Sequence, residues 1–129
     1  MQKFVITKLM YKEIKLAGVV KSFLEDLKLL LYDVLVEISV FGSTVKGTSH
    51  SGSDIDVLVI VGGDKSNVLD TVNKISSFLG DRWIELASQG YFIELAVMSF
   101  SEWNSMIEKK FSFPLNVERD KLVIYRRIF

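Results

Sequence analysis

The chain has 129 residues, 49% of them hydrophobic and 25% charged, with a formal net charge of zero. Such a length suits one domain that buries about two-thirds of the surface exposed by its unfolded chain. The lack of cysteine excludes disulfides, thiolate metal sites and cysteine nucleophiles; with no apolar leader and no run reaching the roughly 18 residues of a membrane span, a cytoplasmic protein away from the membrane is expected.

Taken in order, Phe4 to Ile6 reads as a short strand or an entry segment. Leu16, Val20, Phe23, Leu27, Leu30 and Val34 then step by four and three, which predicts an amphipathic helix over about residues 10–32. Leu35 to Phe41 predicts a strand with Glu37 and Ser39 on one face and Val36, Ile38 and Val40 on the other. Ile55 to Val61 is almost wholly apolar, the pattern of a strand covered on both faces and so central in its sheet. After Gly62-Gly63-Asp64, Ser66 or Asn67 caps a helix with Val68, Val72, Ile75 and Leu79 as its buried stripe, and Gly80 ends it. A near-duplication follows, Ile84-Glu85-Leu86-Ala87 and Ile93-Glu94-Leu95-Ala96, joined through Gln89-Gly90. Two strands around that turn fit, as does an irregular first copy. Ser99 or Ser101 can cap a helix carrying Trp103, Met106, Ile107 and Lys110 on one side, and Lys121 to Tyr125 predicts a last strand. The class is α/β (α+β): a mixed β-sheet flanked by helices.

Between the two central strands lies Gly42-Ser-Thr-Val-Lys-Gly-Thr-Ser-His-Ser-Gly-Ser-Asp-Ile-Asp56. A glycine after a strand lets the chain turn tightly and lets a ligand approach. Ser43 offers a hydroxyl beside unpaired backbone N–H groups, a place that suits phosphate oxygens or an ordinary helix cap. Asp54 and Asp56, two apart on a strand, point to one face about 6.6 Å apart along the chain. They can converge on one hard cation, or simply form a polar strand end.

The whole string, Gly-Ser, ten residues, then Asp-x-Asp opening an apolar strand, resembles the signature of the DNA polymerase β-like nucleotidyltransferase superfamily. In length and simplicity the chain is most similar to the minimal nucleotidyltransferases, and the resemblance covers nearly all of 1–129 as one domain, with a core over about 34–129. It implies the polymerase β-like fold. It also implies a triphosphate held at Gly42 and Ser43, helped by Lys46 and Ser53, and magnesium on Asp54, Asp56 and a third acid from the neighbouring strand. The duplicated segment leaves Glu94 and Glu85 as candidates for that acid. Family order, which puts it just before the Ser-x-x-Trp helix, selects Glu94. Two magnesium ions are implied, with manganese a compatible substitute. The chain departs from the family in having Thr44, Val45 and Lys46 where arginine often follows Gly-Ser, and glutamate where aspartate is commoner.

The activity so implied is transfer of a nucleoside monophosphate, AMP foremost, from a triphosphate such as ATP to a protein or small molecule. Relatives of this kind pair with HEPN-type ribonuclease toxins as antitoxins, sometimes by adenylylating them. The alternative is a catalytically weak nucleotide-binding or partner-masking module. From Ser51 to Asn104 three basic residues face eight acidic ones, and from Ser105 onward six basic face three acidic. An acidic centre beside a basic flank suits a metal-bound anion and is unlike the basic stripe of a dedicated nucleic-acid binder. His50 reads as a solvated loop residue. Trp103, Phe111, Phe113 and Phe129 read as core or as an interface rather than as a base-stacking platform, with room for pairing with a second copy.

Overall fold

The computed structural model describes residues 3–6, 16–42 and 54–128. Its elements follow as β1 (Lys3–Ile6), α1 (Gly18–Leu30), β2 (Leu35–Phe41), β3 (Ile55–Val61), α2 (Lys65–Ser88), β4 (Ile93–Ser99), α3 (Phe100–Glu108), α4 (Ser112–Asp120) and β5 (Leu122–Ile128). The five strands form one mixed sheet in the order β1-β5-β2-β3-β4. Among the described residues only β3 and β4 are parallel, and α2 is the crossover that a parallel pair requires.

Each face of the sheet has its own core. In α1, Val20, Phe23, Leu24 and Leu27 recur at helical spacing and are all but fully buried; each contributes about 1.5–3 kcal/mol. They pack with Ile75 and Leu86 of α2 on Leu35, Ile38, Val57, Val59 and Val61 of the sheet. On the opposite face Leu58 and Ile60 meet Trp103 of α3 and Val117 of α4. Successive residues of β3 thus serve opposite cores, and Val57 through Val61 are at most 3% exposed. The apolar run is central because both its faces are covered.

Several local expectations are corrected. Residues 16 and 17 are not helical, so α1 starts at Gly18, not near residue 10; residues 7–15 lie outside the described residues. Asp64, not Ser66 or Asn67, caps α2, its carboxylate accepting from the Ser66 N–H at 2.9 Å. Val72 is exposed and Thr71 is buried in its place, with its hydroxyl donating to the Asn67 carbonyl at 2.7 Å. Gly80 does not end the helix. α2 runs on to Ser88, because Leu86 reaches the first core and the Trp83 indole N–H donates to the Ile93 carbonyl at 2.8 Å. The first Ile-Glu-Leu-Ala copy is therefore the end of a helix, neither a strand nor irregular, and only the second copy is a strand. A register shift between Leu35 and Glu37 puts Val36 against the second core instead of the Ile38 face. Finally, α4 occupies a stretch for which no element was expected. Pro114 sits in its first turn, where a missing N–H leaves no intrahelical bond unmade.

Candidate functional site

The site lies where β2 ends and β3 and β4 begin. The parallel pairing sets Ile55 opposite Ile93 and Asp56 opposite Glu94, anchored by the Ile55 N–H donating to the Phe92 carbonyl at 2.6 Å. Side chains opposite each other on neighbouring strands share a face about 5 Å apart. Asp56 and Glu94 therefore stand side by side on the face that carries Leu58 and Ile60, covered further along by α3 and α4. Asp54, one residue before β3, is exposed at the same end.

Electrostatics record how close these acids are. The Asp56 carboxyl is pushed above its ordinary range, first by burial, then by the charge and hydrogen bond of Glu94, then by the charge of Asp54. Like charges drawn together in this way disfavour the ionised form, and a cation placed between them would offset that repulsion. Glu85 does not stand beside this pair: it is exposed on α2, which packs on the opposite face of the sheet.

Gly42 borders the site on the β2 side. Phe41 pairs with Asp56, and the next residue, Gly42, has φ of +76°. A Cβ on Gly42 would lie 2.4 Å from Asp56 Oδ2. Only glycine allows both the left-handed backbone and this approach of main chain to carboxylate. Ser43, Lys46, Ser53 and His50, all singled out from sequence, lie outside the described residues.

The donor set is suited to a hard cation, being all carboxylate oxygen. Among the described residues no three acidic or histidine side chains already converge as a closed metal cage. Magnesium does not need one, since it commonly takes one or two carboxylates and completes its shell with water and phosphate. The residues present fit magnesium held jointly with a phosphorylated ligand.

Two features were missed by sequence reasoning. The first is a groove of about 180 Å³ on the β2 side of the site, lined by Phe41, Gly42, Phe113, Asn116, Val117 and Asp120. It exists because α4 lies over the end of β2, with the Phe113 ring near-perpendicular to those of Phe41 and Trp103 at centroid distances of 6.0 Å. The second is the ionic knot that holds α4 there. Buried Glu37 accepts from Lys121 Nζ at 2.7 Å, from Ser39 Oγ at 2.6 Å and from the Arg126 guanidinium at 2.9 and 3.1 Å. Lys121 also donates to Glu118 Oε1 at 2.7 Å, which accepts from the Trp103 indole at 2.7 Å. Burial alone would raise the Glu37 carboxyl, but hydrogen bonds from Lys121, Ser39 and Arg126 and the Lys121 charge hold it below its ordinary range. The visible signal was an acid at alternate spacing in an apolar strand; its partners, some 84 to 89 residues away, were not.

Among the described residues no helix is long and apolar enough to cross a membrane. Comparison with curated proteins gives no match. Among solved structures, the chain is similar to one of a toxin–antitoxin with AMP-PNP, at 21% identity over 81% of this chain and 71% of that one, TM-score 0.44. It is also similar to a candidate nucleotidyltransferase from Sulfolobus solfataricus, at 22% identity over 84% of this chain and 87% of that one, TM-score 0.43. The family model for the nucleotidyltransferase domain matches residues 20–123. That span runs from α1 to β5 and includes the paired carboxylates, and the chain belongs to the nucleotidyltransferase domain family.

Proposed function

We propose that this nucleotidyltransferase moves a nucleoside monophosphate, AMP in the first instance, from a triphosphate to a hydroxyl of a protein or small molecule. The observation that carries this reading is the in-register pair Asp56–Glu94 with Asp54 beside it, at the strand end that Gly42 leaves open. Asp54, Asp56 and Glu94 would hold magnesium, which supplies charge neutralisation for the phosphates and a Lewis acid at the reacting oxygens. Gly42 leaves backbone room for the phosphates, with Ser43, Lys46 and Ser53 as further donors to them.

The chain's own contribution is positional and electrostatic. The acceptor hydroxyl attacks the α-phosphorus, a new P–O bond forms, and the bond to the bridging oxygen breaks. Pyrophosphate leaves with that electron pair. Glu94, on the edge strand of the sheet, takes the hydroxyl proton, and Asp56 is kept in place by Gly42 on one side and Glu94 on the other.

The whole chain acts as one domain with the acceptor presented by a partner. A HEPN-type toxin, with this chain as its antitoxin, is the partner that the family resemblance favours. A second reading, a nucleotide-binding or partner-masking module without turnover, draws on Thr44, Val45 and Lys46 standing where arginine often follows Gly-Ser.

Calorimetric titration with a non-hydrolysable ATP analogue tests the site. Binding that requires magnesium and is lost in Glu94→Gln, but retained in Glu85→Gln, is the expected result. Equal loss in both variants, or tight binding with magnesium removed, would refute the assignment.

A further inference from the structure

The groove over the end of β2 is continuous with the carboxylate site through Gly42, which lines the groove and also lies against Asp56. A ligand with phosphates at Asp56 can extend into the groove across a residue that has no side chain to block it. At about 180 Å³ the space is smaller than the roughly 300 Å³ at which whole-ligand pockets begin. It accommodates one ring system, not a whole nucleotide.

We propose that this groove receives the adenine ring of the nucleotide, with Phe113 as the stacking surface and Asn116 as the group that selects adenine. The proposal rests on the nucleotidyltransferase reading above and adds the location and chemistry of base recognition. Near-perpendicular contacts with Phe41 and Trp103 hold the Phe113 ring, and about half of the residue stays exposed. A planar base stacking on such a ring gains affinity whatever its identity.

Selectivity comes from Asn116, exposed one turn along α4. Its amide offers one donor and one acceptor side by side. Adenine presents an amino donor and a ring-nitrogen acceptor along one edge, whereas guanine presents two acceptors along the corresponding edge. Asp120, the other polar side chain in the groove, could in principle accept from the donor pair of guanine. Its two oxygens already accept from Arg119, at 3.2 and 3.1 Å, so guanine's donors would have to compete with that ion pair. Along that edge the lining favours adenine.

The test is equilibrium binding of magnesium-ATP, magnesium-GTP and magnesium-tripolyphosphate to the full chain and to Asn116→Ala and Phe113→Ala. The wild type should favour ATP over GTP by roughly 10-fold or more, the value of one good bidentate base contact. Asn116→Ala, at an exposed position where folding is not at risk, should bring the two within about 2-fold and leave tripolyphosphate unchanged. Phe113→Ala should weaken ATP and GTP together by about 10-fold, again without effect on tripolyphosphate; its unfolding midpoint is measured alongside, so that loosening of α4 is seen directly. Equal binding of ATP and GTP by the wild type, or an ATP preference that survives Asn116→Ala, would overturn the proposal while leaving the phosphate and metal reading intact. Failure of tripolyphosphate and ATP alike to bind would remove that reading and this proposal together.

Discussion

Replacing Gly42 by alanine tests how the backbone serves the acids. Two costs can be worked from the geometry. The residue sits at φ +76°, where a side chain costs roughly 1–2 kcal/mol. The new Cβ would lie 2.4 Å from Asp56 Oδ2, against 3.4 Å for ordinary contact, so the carboxylate must retreat by the difference, about 1.0 Å. It retreats toward Glu94, its cross-strand neighbour. Denaturant unfolding of Gly42→Ala should show a loss of about 1–2 kcal/mol from the backbone alone, and nucleotidyl transfer should fall on the order of 100-fold, as expected for a 1 Å misplacement at a reacting centre. Gly18→Ala, where a Cβ would meet nothing within 4 Å, is the control and should stay within about 0.5 kcal/mol of wild type. A Gly42→Ala protein with wild-type stability and wild-type transfer would refute the close approach of main chain to Asp56.

Gly80 lies inside α2 without a positive φ, and a Cβ added there would meet nothing within 4 Å, so Gly80→Ala should raise stability by about 0.5–1 kcal/mol by denaturant unfolding. Glu37→Ala removes the acid from a buried knot and leaves Lys121 buried with a partner missing; a loss of about 3–5 kcal/mol is expected from the same assay. Because the folded Glu37 carboxyl titrates below its ordinary value of 4.5, it binds its proton less readily in the folded state. Its contribution is thus fully present above the unfolded value and is lost as pH falls through the lowered folded one, so acid unfolding of Glu37→Gln should lack this component. Asp56 has the opposite sign: its raised value means stability present below the unfolded 3.8 and lost as pH rises through the folded value. Asp56→Asn should therefore raise the metal-free unfolding midpoint at neutral pH while abolishing magnesium-dependent nucleotide binding.

The sheet was legible where burial and periodicity agreed. Val57 to Val61 form a central strand because an apolar run covered on both faces has no other comfortable place, and Val20, Phe23, Leu24 and Leu27 carry helical spacing outright. The acids were legible as a pattern, since Asp54 and Asp56 stand at the mouth of that strand and Glu94 opens the next. What stayed hidden depends on distant contacts. Ile84-Glu85-Leu86-Ala87 and Ile93-Glu94-Leu95-Ala96 are nearly identical locally, yet the first is helix and the second strand. Trp83 and Leu86 dock the first copy on one core, and pairing with β3 extends the second. The helix over Ser112–Asp120 was masked by Pro114, a breaker in a helix interior and harmless in a first turn. Glu37 looked like one polar residue on a half-exposed strand until Lys121 and Arg126 folded over it.

The central claim is that the acids at Asp54, Asp56 and Glu94 support metal-dependent nucleotidyl transfer. Its most direct test is to incubate the pure protein with magnesium and each α-labelled nucleoside triphosphate, with and without lysate from its source, beside an Asp54→Asn, Asp56→Asn double variant. Label passing from ATP to a macromolecule with wild type only is the predicted result. Intact magnesium-triphosphate binding with no transfer to any acceptor would contradict catalysis and leave a binding or masking module.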